Sequence, residues 1–376
     1  MFEKMTHLAL QQYWWIIIAV LGSFLVFLLF VQGGQSLIYS LGKTKMGKKI
    51  IYNAMGRKWE LTFTTLVTFG GSFFASFPLF YATSFGGAYW VWMAILFCFI
   101  IQAIAYEFRS KPNNFLGEKT YEVFLAINGF AGTFLLGAVL STFFTGANFL
   151  VDEMNFSSWT TKWYGLEALG NFQNVIFGIA VFGLSRVLAI QYLHNSIHND
   201  EIYEKSKPLF LVNLAIFLLA FLYWFANLLF MDGYEYDNET MLVSIVDHKY
   251  LNNIIEMPFN TLILITGIIL LLTGIVKTIL NRSEKAIWYS GIGTFLTVFA
   301  LFILAAFNNT CFYPSLSDTQ SSLNIVNASS SHYSLTAMSY VSLIIPFVFA
   351  YIFYAWNAIN NKKIDDKEME SEPHTY

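Results

Sequence analysis

Two carboxylates within a long apolar stretch are the residues most able to do chemistry in this sequence. Glu60 and Glu107 lie in the segment from Trp59 to Lys111, which is otherwise mainly apolar. A carboxylate at the edge of an apolar span costs free energy unless it is paired, hydrated or used. One interpretation is that both groups exchange protons with the surrounding water. The other is that they end their helices in the headgroup layer, with Glu107 paired to Arg109 or Lys111.

The elements that position these carboxylates are predicted to be two membrane-spanning helices. The apolar runs 61–83 and 88–107 each hold about the twenty residues needed to cross a bilayer. They are joined by an uncharged turn at Ser84-Phe85-Gly86-Gly87. The two arms form a hairpin, so Glu60 and Glu107 are expected at one depth near its open end.

Composition indicates an all-α integral membrane protein. Of 376 residues, 56% are apolar and 12% are charged, which argues against an ordinary soluble domain. A net charge of −3 gives no basic face of the density that a nucleic-acid partner needs. Cys98 and Cys311 offer neither a disulfide framework nor a metal-binding spacing. Residues 1–376 are therefore interpreted as a single polytopic membrane domain.

Hydropathy and loop charge predict nine spans and their orientation. The spans are expected at about 13–31, 61–83, 88–107, 123–148, 172–193, 209–231, 259–280, 287–308 and 338–358. Lys and Arg concentrate in the first, third, fifth and seventh loops and in the tail, which is the excess expected on the cytoplasmic side. The N-terminus is thus predicted outside and the C-terminus in the cytoplasm. The charged tail 359–376 is predicted to be disordered.

Other candidate residues have a structural and a functional interpretation. None of the six histidines lies inside a predicted span, so axial haem ligation and zinc binding by this chain are not expected. Arg186, within the fifth span, either snorkels to the interface or pairs with an acid on a neighbouring helix. Gly70 and Gly71 permit close helix packing. The uncharged polar loop around His332 is either a docking surface or an ordinary solvated loop.

Two blocks of sequence resemble subunit II of the cytochrome bd quinol oxidases. The first runs Trp59-Glu60, Gly70-Gly71, Phe74-Ala75, Pro78, Tyr81, Phe85, Gly87 and Glu107-Phe108-Arg109-Ser110-Lys111. The second is Ala328-Ser329-Ser330-Ser331-His332-Tyr333-Ser334-Leu335. The Asn260-Thr261 pair is also similar to the family pattern.

This resemblance implies a nine-helix subunit of the bacterial inner membrane that pairs with subunit I. The haems, two of type b and one haem d, would belong to that partner, and no cofactor or metal would bind this chain alone. The complex would oxidise quinol and reduce oxygen to water with cytoplasmic protons, in contact with lipid and with a possible small third subunit. Glu60, with Glu107, would begin a proton route supported by the charges of Arg109 and Arg186. Trp59, Gly70, Gly71 and His332 would serve subunit packing or docking.

The sequence departs from the family pattern at the inner end of the first span. Gln32-Gly33-Gly34-Gln35 replaces the usual Asp-Gly-Phe-Asp, and an amide hydrogen-bonds water but releases no proton. Two rival functions remain open. One is a secondary transporter subunit, which would also use glycine-broken helices and buried charge. The other is a purely structural scaffold for the oxidase.

Overall fold

Sixteen α-helices form the chain in the computed structural model, which describes residues 1–112, 114–281, 283–365 and 369. The first eight are α1 (His7–Leu28), α2 (Phe30–Ser36), α3 (Ile38–Leu41), α4 (Lys45–Gly56), α5 (Trp59–Ser76), α6 (Pro78–Tyr81), α7 (Tyr89–Phe108) and α8 (Glu118–Ile127). The others are α9 (Thr133–Thr145), α10 (Phe172–Ser196), α11 (Asp200–Phe230), α12 (Lys249–Glu256), α13 (Pro258–Asn281), α14 (Ala286–Ala306), α15 (His332–Ser342) and α16 (Ile345–Ile359).

Short β-strands and π-helical segments occur between the α-helices. Two antiparallel hairpins pair β1 (Phe149–Val151) with β2 (Ser157–Trp159) and β3 (Gly233–Tyr236) with β4 (Val243–Val246). Two π-helical segments, Ala82–Gly87 and Asn128–Gly132, interrupt the helical runs. The sequence predicted neither hairpin, because strands of three or four residues carry too little periodicity to be recognised.

Eight helical segments of the described chain are long and apolar enough to cross a membrane. They are His7–Ser36, Tyr89–Phe108, Glu118–Thr145, Phe172–Ser196, Asp200–Phe230, Pro258–Leu280, Ala286–Ala306 and His332–Ile359. The prediction of an all-α membrane fold is thereby confirmed. The remaining predicted span, 61–83, is α5 and α6, whose apolar character is diluted by Thr, Gly and Ser. Its helix breaks at Phe77, because the residue before Pro78 is disfavoured in helical conformation.

Contacts between loops define two ends of the bundle. At one end, which we call the basic end, Lys48 of α4 pairs with Glu122 of α8. There the amide of Asn195 donates to the carbonyl of Glu284, and the backbone of Ile364 bonds Ser196 and His198. The first, third, fifth and seventh loops and the described part of the tail therefore lie together.

The even-numbered loops meet at the opposite end. The indole of Trp159 donates to the carbonyl of Thr83, and Ala147 and Glu235 form β-bridges with Ser315 and Thr310. The N-terminal segment joins them. Because α4 and the turn after α6 lie at different ends, α5 and α6 together cross the bundle. The described chain therefore makes nine crossings, as the loop charges predicted.

The interior is built from aromatic side chains and close glycine contacts. Trp15 of α1 is fully buried and donates from its indole to the carbonyl of Phe302. Its ring packs against Phe73, Phe77, Phe143, Phe302 and Phe312. Between α13 and α14, a Cβ added at Gly293 would lie 2.3 Å from the amide nitrogen of Leu271. Only a glycine allows these two backbones to approach so closely, which is how membrane helices gain packing energy.

The described part of the tail is attached to the bundle. Ile364 is buried and forms a parallel β-bridge with Ile197. Lys363 pairs with Glu284, and the carbonyl of Met369 accepts a hydrogen bond from Lys49. The other residues of the predicted disordered tail, 366–368 and 370–376, lie outside the described residues. The disorder predicted for 359–376 therefore stays a prediction.

Candidate functional site at the basic end

Glu60 lies at the basic end in the first turn of α5. Its side chain is exposed. A carboxylate in this position is favoured by the partial positive charge at a helix N-terminus. An exposed acid in contact with water is able to collect protons at the surface. The geometry is therefore compatible with both interpretations of Glu60, a proton-collecting group and a helix end.

The open end of the α5–α7 hairpin is held together by an aromatic contact. The rings of Trp59 and Tyr106 stack with centroids 5.7 Å apart and planes 13° apart. Because these residues directly precede Glu60 and Glu107, the stacking brings the two carboxylates to the same end of the hairpin, as predicted. Trp59 thus packs within this chain, and its indole nitrogen has no hydrogen-bond partner among the described residues.

Glu107 forms a surface ion pair with Lys111. The two charged atoms are 3.2 Å apart, and more than half of each side chain is exposed. Exposed pairs at this helical spacing contribute little to stability, because water and salt screen them. Of the two partners considered for Glu107, the structure selects Lys111.

Arg109 pairs instead with Glu122, a residue that the sequence did not single out. Both side chains are buried, with the guanidinium nitrogen 2.9 Å from the carboxylate. Lys48 lies 2.9 Å from the other carboxylate oxygen of Glu122. The Arg109 guanidinium also lies over the ring of Tyr52, 4.4 Å from its centroid. This ion triad joins α4, the end of α7 and α8.

Next to the ion triad is a buried cluster of uncharged polar side chains. Gln32 donates to the amide oxygen of Gln102 at 3.3 Å, and Gln35 donates to the hydroxyl of Tyr106 at 3.1 Å. The side-chain oxygens of Gln32 and Gln35 and both polar atoms of Asn128 have no partner among the described residues. Buried polar groups are normally hydrogen-bonded, so these unpartnered atoms make the cluster an unusually polar region inside the bundle.

The π-helical segment between α8 and α9 packs against α2 at this amide cluster. A Cβ added at Gly129 would lie 2.6 Å from the carbonyl oxygen of Gln32 and 2.7 Å from the amide nitrogen of Ser36. The absence of a side chain therefore lets the segment Asn128–Gly132 touch α2 directly. Helical bulges of this type often occur where a helix must redirect a side chain at a functional site.

The remaining predicted site residues lie elsewhere. Arg186 is half-buried on α10, with its guanidinium 5.2 Å from the ring of Phe182 and its Nε without a hydrogen-bond partner among the described residues. A Cβ added at Gly70 would contact Phe85 at 3.2 Å, whereas one at Gly71 would meet nothing within 4 Å. Gly70 therefore serves packing inside the chain, and Gly71 lies on an open face.

The polar loop around His332 docks onto its own chain at the opposite end. His332 Nε2 lies 3.0 Å from the carbonyl oxygen of Met5. The amide and hydroxyl of Ser330 donate to the carbonyls of Ser76 and Ala75, where α5 ends. Helix termini in a membrane need such partners for their last carbonyls. This contact explains the loop's density of hydrogen-bonding groups.

The histidines and other possible metal ligands of the described residues do not cluster. No group of three or more His, Cys, Asp or Glu is arranged to hold a metal within the described ranges. His7, His248 and His332 bond backbone carbonyls, and His194 bonds the hydroxyl of Ser206 at the last turn of α10. His374 lies outside the described residues. The histidines that the structure describes are thus placed in loops and at helix ends.

An apolar cavity of about 360 Å³ opens between α9, α10, α11, α13 and α14. Phe143, Phe177 and Phe217 contribute to its lining. The hydroxyls of Thr294 and Thr297, which also line it, bond carbonyls of their own helix and offer nothing to a ligand. The cavity therefore suits a hydrocarbon chain and has no group that could do acid–base chemistry.

Comparison with known proteins agrees with this fold along almost the whole chain. Residues 10–359 match the family model of cytochrome bd terminal oxidase subunit II. Cytochrome bd-I ubiquinol oxidase subunit 2 of Escherichia coli is 23% identical, with 96% of this chain and 97% of that protein covered. Cytochrome bd ubiquinol oxidase subunit 2 of Bacillus subtilis is 24% identical, with 98% and 99% covered.

A solved structure shares the fold. The bd oxidase from Geobacillus thermodenitrificans superimposes with a TM-score of 0.58 over 93% of this chain and 97% of that chain, at 12% sequence identity. The chain therefore belongs to the family of cytochrome bd terminal oxidase subunit II.

Proposed function

We propose that this chain is the haem-free subunit of a bacterial inner-membrane quinol oxidase and supplies a proton route from the cytoplasm. In that complex, quinol is oxidised at the outer face and oxygen is reduced to water. The observation that carries the proposal is the family match across residues 10–359 together with buried polar groups at the basic end. A solute transporter is less well supported, because the charges of the described chain gather at the membrane edge.

The partner is a haem-bearing subunit I. The placement of the described histidines in loops and at helix ends supports haem b and haem d lying in that subunit. Large apolar side chains such as Phe74, Phe97 and Phe347 remain exposed on the bundle surface. In a membrane protein such a surface is covered by lipid or by another subunit. Gly71, whose surroundings are open, offers a flat place for close approach by the partner.

The proposed proton route begins at Glu60 at the basic end. Glu60 collects protons from water, and Glu107 adds a second negative charge at the same end. Inside, the amide cluster of Gln32, Gln35 and Gln102 holds internal water beside Tyr106. Arg109 supports this region by fixing Glu122, and Arg186 adds positive charge on α10. The basic loops place this end in the cytoplasm.

The proposal is tested by purifying the chain with its partner and substituting Glu60→Gln. A reduced-minus-oxidised spectrum should show haem in the complex, and turnover of quinol with oxygen should fall at least about tenfold while the haem content persists. Lys45→Met, on the exposed surface of the same end, is the control and should retain turnover. Unchanged turnover in Glu60→Gln with a normal spectrum would leave the chain as a scaffold. Absence of haem from the purified complex would contradict the oxidase itself.

A further inference from the structure

The side chain of Lys58 is fully buried, and within the described ranges it has no hydrogen-bond partner. It is 0% exposed, and its Nζ contacts no acceptor among the described residues. Lysine is almost never fully buried unless its charge is paired, because the ammonium loses its hydration. No ion pair compensates Lys58 in the described chain. A buried amine of this kind is either neutral or balanced between its two protonation states.

One aromatic ring lies next to the Lys58 amine. Its Nζ lies 4.4 Å from the ring centroid of Trp356 on α16. The Trp356 ring in turn packs against Phe27, Phe30, Tyr192 and Trp288. A desolvated cation is attracted to the face of an indole ring, so this ring is the feature that favours the ammonium form.

Three features oppose the ammonium form. Burial is the largest, and the adjacent positive charge of Arg57 is the second; together they lower the pKa of Lys58 from 10.5 to about 7. The third is its location at the N-cap of α5, where the helix dipole is positive. Two other titratable groups lie near Lys58. Glu60 is exposed in the first turn of α5, and Tyr192 of α10 packs against Trp356. The Trp356 ring favours the ammonium form, whereas burial and the nearby positive charges oppose it. The amine can therefore gain or lose a proton near neutral pH.

Lys58 also stands next to the proposed start of the proton route. It is two residues before Glu60, and Trp59 between them stacks on Tyr106, which bonds Gln35 of the amide cluster. The exposed acid and the buried amine thus lie on the water side and the protein side of the same helix start. This order is what a route needs, because a surface group collects protons and a buried group of matched affinity receives them.

We propose that Lys58 is the buried proton-exchanging group of the cytoplasmic route. In its neutral form the lone pair of Nζ accepts the proton of the Glu60 carboxyl, so an N–H bond forms as the carboxyl O–H bond breaks, and the carboxylate then takes up a new proton from the cytoplasm. The resulting ammonium is held over the face of Trp356. Release of the same proton toward the interior restores the neutral amine, with no change in electron count. This inference rests on the proposed function of the chain.

The test uses the assembled oxidase with Lys58→Met, which keeps the length of the side chain and removes the titrating group. Turnover between pH 6 and 9 should fall at least about tenfold, and the inflection near neutral pH should disappear. Lys58→Arg should also lose turnover, because a guanidinium stays protonated. Lys45→Met, an exposed lysine at the same end, is the matched control. The haem difference spectrum of each variant reports assembly.

The outcomes separate this inference from the proposed function. If Lys58→Met keeps the wild-type turnover and pH profile while Glu60→Gln is impaired, Lys58 has no part in the route and the route itself survives. If both variants with normal haem spectra turn over like wild type, the proton route in this chain is wrong.

If Lys58→Met fails to assemble, a second variant tests whether Lys58 exchanges protons. Trp356→Phe keeps an aromatic ring but weakens its attraction for a cation, so the ammonium is less stable. The inflection in the pH profile should then move to lower pH. An unchanged inflection in an assembled Trp356→Phe oxidase would overturn the proposal.

Discussion

Lys58 and Glu60 are two residues apart in sequence but have opposite surroundings. Glu60 is exposed at the start of α5, whereas Lys58 is buried with its amine against the ring of Trp356. The difference arises because the chain turns between α4 and α5 and directs the lysine under α16. A charge in water costs nothing to keep, and a charge in an apolar enclosure does. Burial therefore disfavours the charged form of Lys58.

Stability should depend on pH through Lys58. Folding lowers the pKa of its amine from 10.5 to about 7. Between those pH values the unfolded chain holds a proton that the folded chain lacks, so the free energy of unfolding rises with pH across this window. Well below pH 7, both states bind the proton and the full penalty of the buried charge applies. Lys58→Met should therefore raise the melting temperature by at least about 2 °C at pH 6.5.

The same melting experiment at higher pH provides the control. By pH 10 the folded amine is neutral and much of the penalty has gone, so Lys58→Met and wild type should melt at closer temperatures. Lys45→Met, which removes an exposed lysine, should change neither curve. A difference between Lys58→Met and wild type that is constant from pH 6.5 to 10 would show that packing, not protonation, distinguishes them.

The sequence located Glu60 and Glu107 and offered Lys111 as one partner of Glu107, but it did not give the partner of Arg109. Glu60 and Glu107 could be placed at one end of a hairpin because hydropathy gives the depth of each span. The pairing of Arg109 with Glu122 depends on how α7 and α8 pack, which hydropathy does not report. In the sequence, Lys58 is one of several basic residues of the first loop, and nothing there indicates its burial. Its burial follows from a contact with Trp356, almost 300 residues further along the chain.

At the scale of elements, three helices at the basic end depend on one carboxylate. Glu122 of α8 binds Lys48 of α4 and Arg109 at the end of α7, each at 2.9 Å. Hydropathy predicted most of these helices well, since each long apolar run gave a helix at nearly the expected position. It did not predict the π-helical segment that follows α8, because that depends on the fit of Gly129 against α2.

Glu122→Gln should destabilise the contact between α4, α7 and α8. The substitution leaves the buried Arg109 guanidinium without its counter-charge, and breaking a buried ion pair costs about 3–5 kcal/mol. Glu107→Gln is the matched control, because its exposed pair with Lys111 is worth less than about 1 kcal/mol. Thermal unfolding of the purified complex measures both. Equal melting temperatures for the two variants would mean that the ion triad does not hold the three helices together.

At the scale of the whole molecule, the loops sort into two ends with opposite chemistry. The odd-numbered loops carry the lysines and arginines and contact one another through Lys48, Asn195 and Ile364. The even-numbered loops carry the two hairpins and the docked segment around Ser330. This separation was predictable from charge, whereas the internal docking of the His332 loop was not. The two ends face different compartments. The orientation of the bundle in the membrane therefore decides from which side protons enter.

Single cysteines in the loops test this direction. The native Cys98 and Cys311 are buried, so an impermeant maleimide should give little background. We expect Glu153→Cys and Glu239→Cys, both at exposed positions in even-numbered loops, to be labelled in intact cells whose outer face is accessible. Lys45→Cys and Lys119→Cys, exposed in odd-numbered loops, should be labelled only after the membrane is opened. This pattern follows from the excess of basic residues on the cytoplasmic side.

Each alternative labelling pattern has a definite consequence for the mechanism. The reverse pattern would put Glu60 and Lys58 at the outer face, where they could not take protons from the cytoplasm, and the proposed route would fail. Labelling of Lys45→Cys and Glu153→Cys from the same side would mean that α5 and α6 do not cross, because these two segments connect the ends. The expected pattern would place the buried amine within reach of cytoplasmic water, as its part in proton uptake requires.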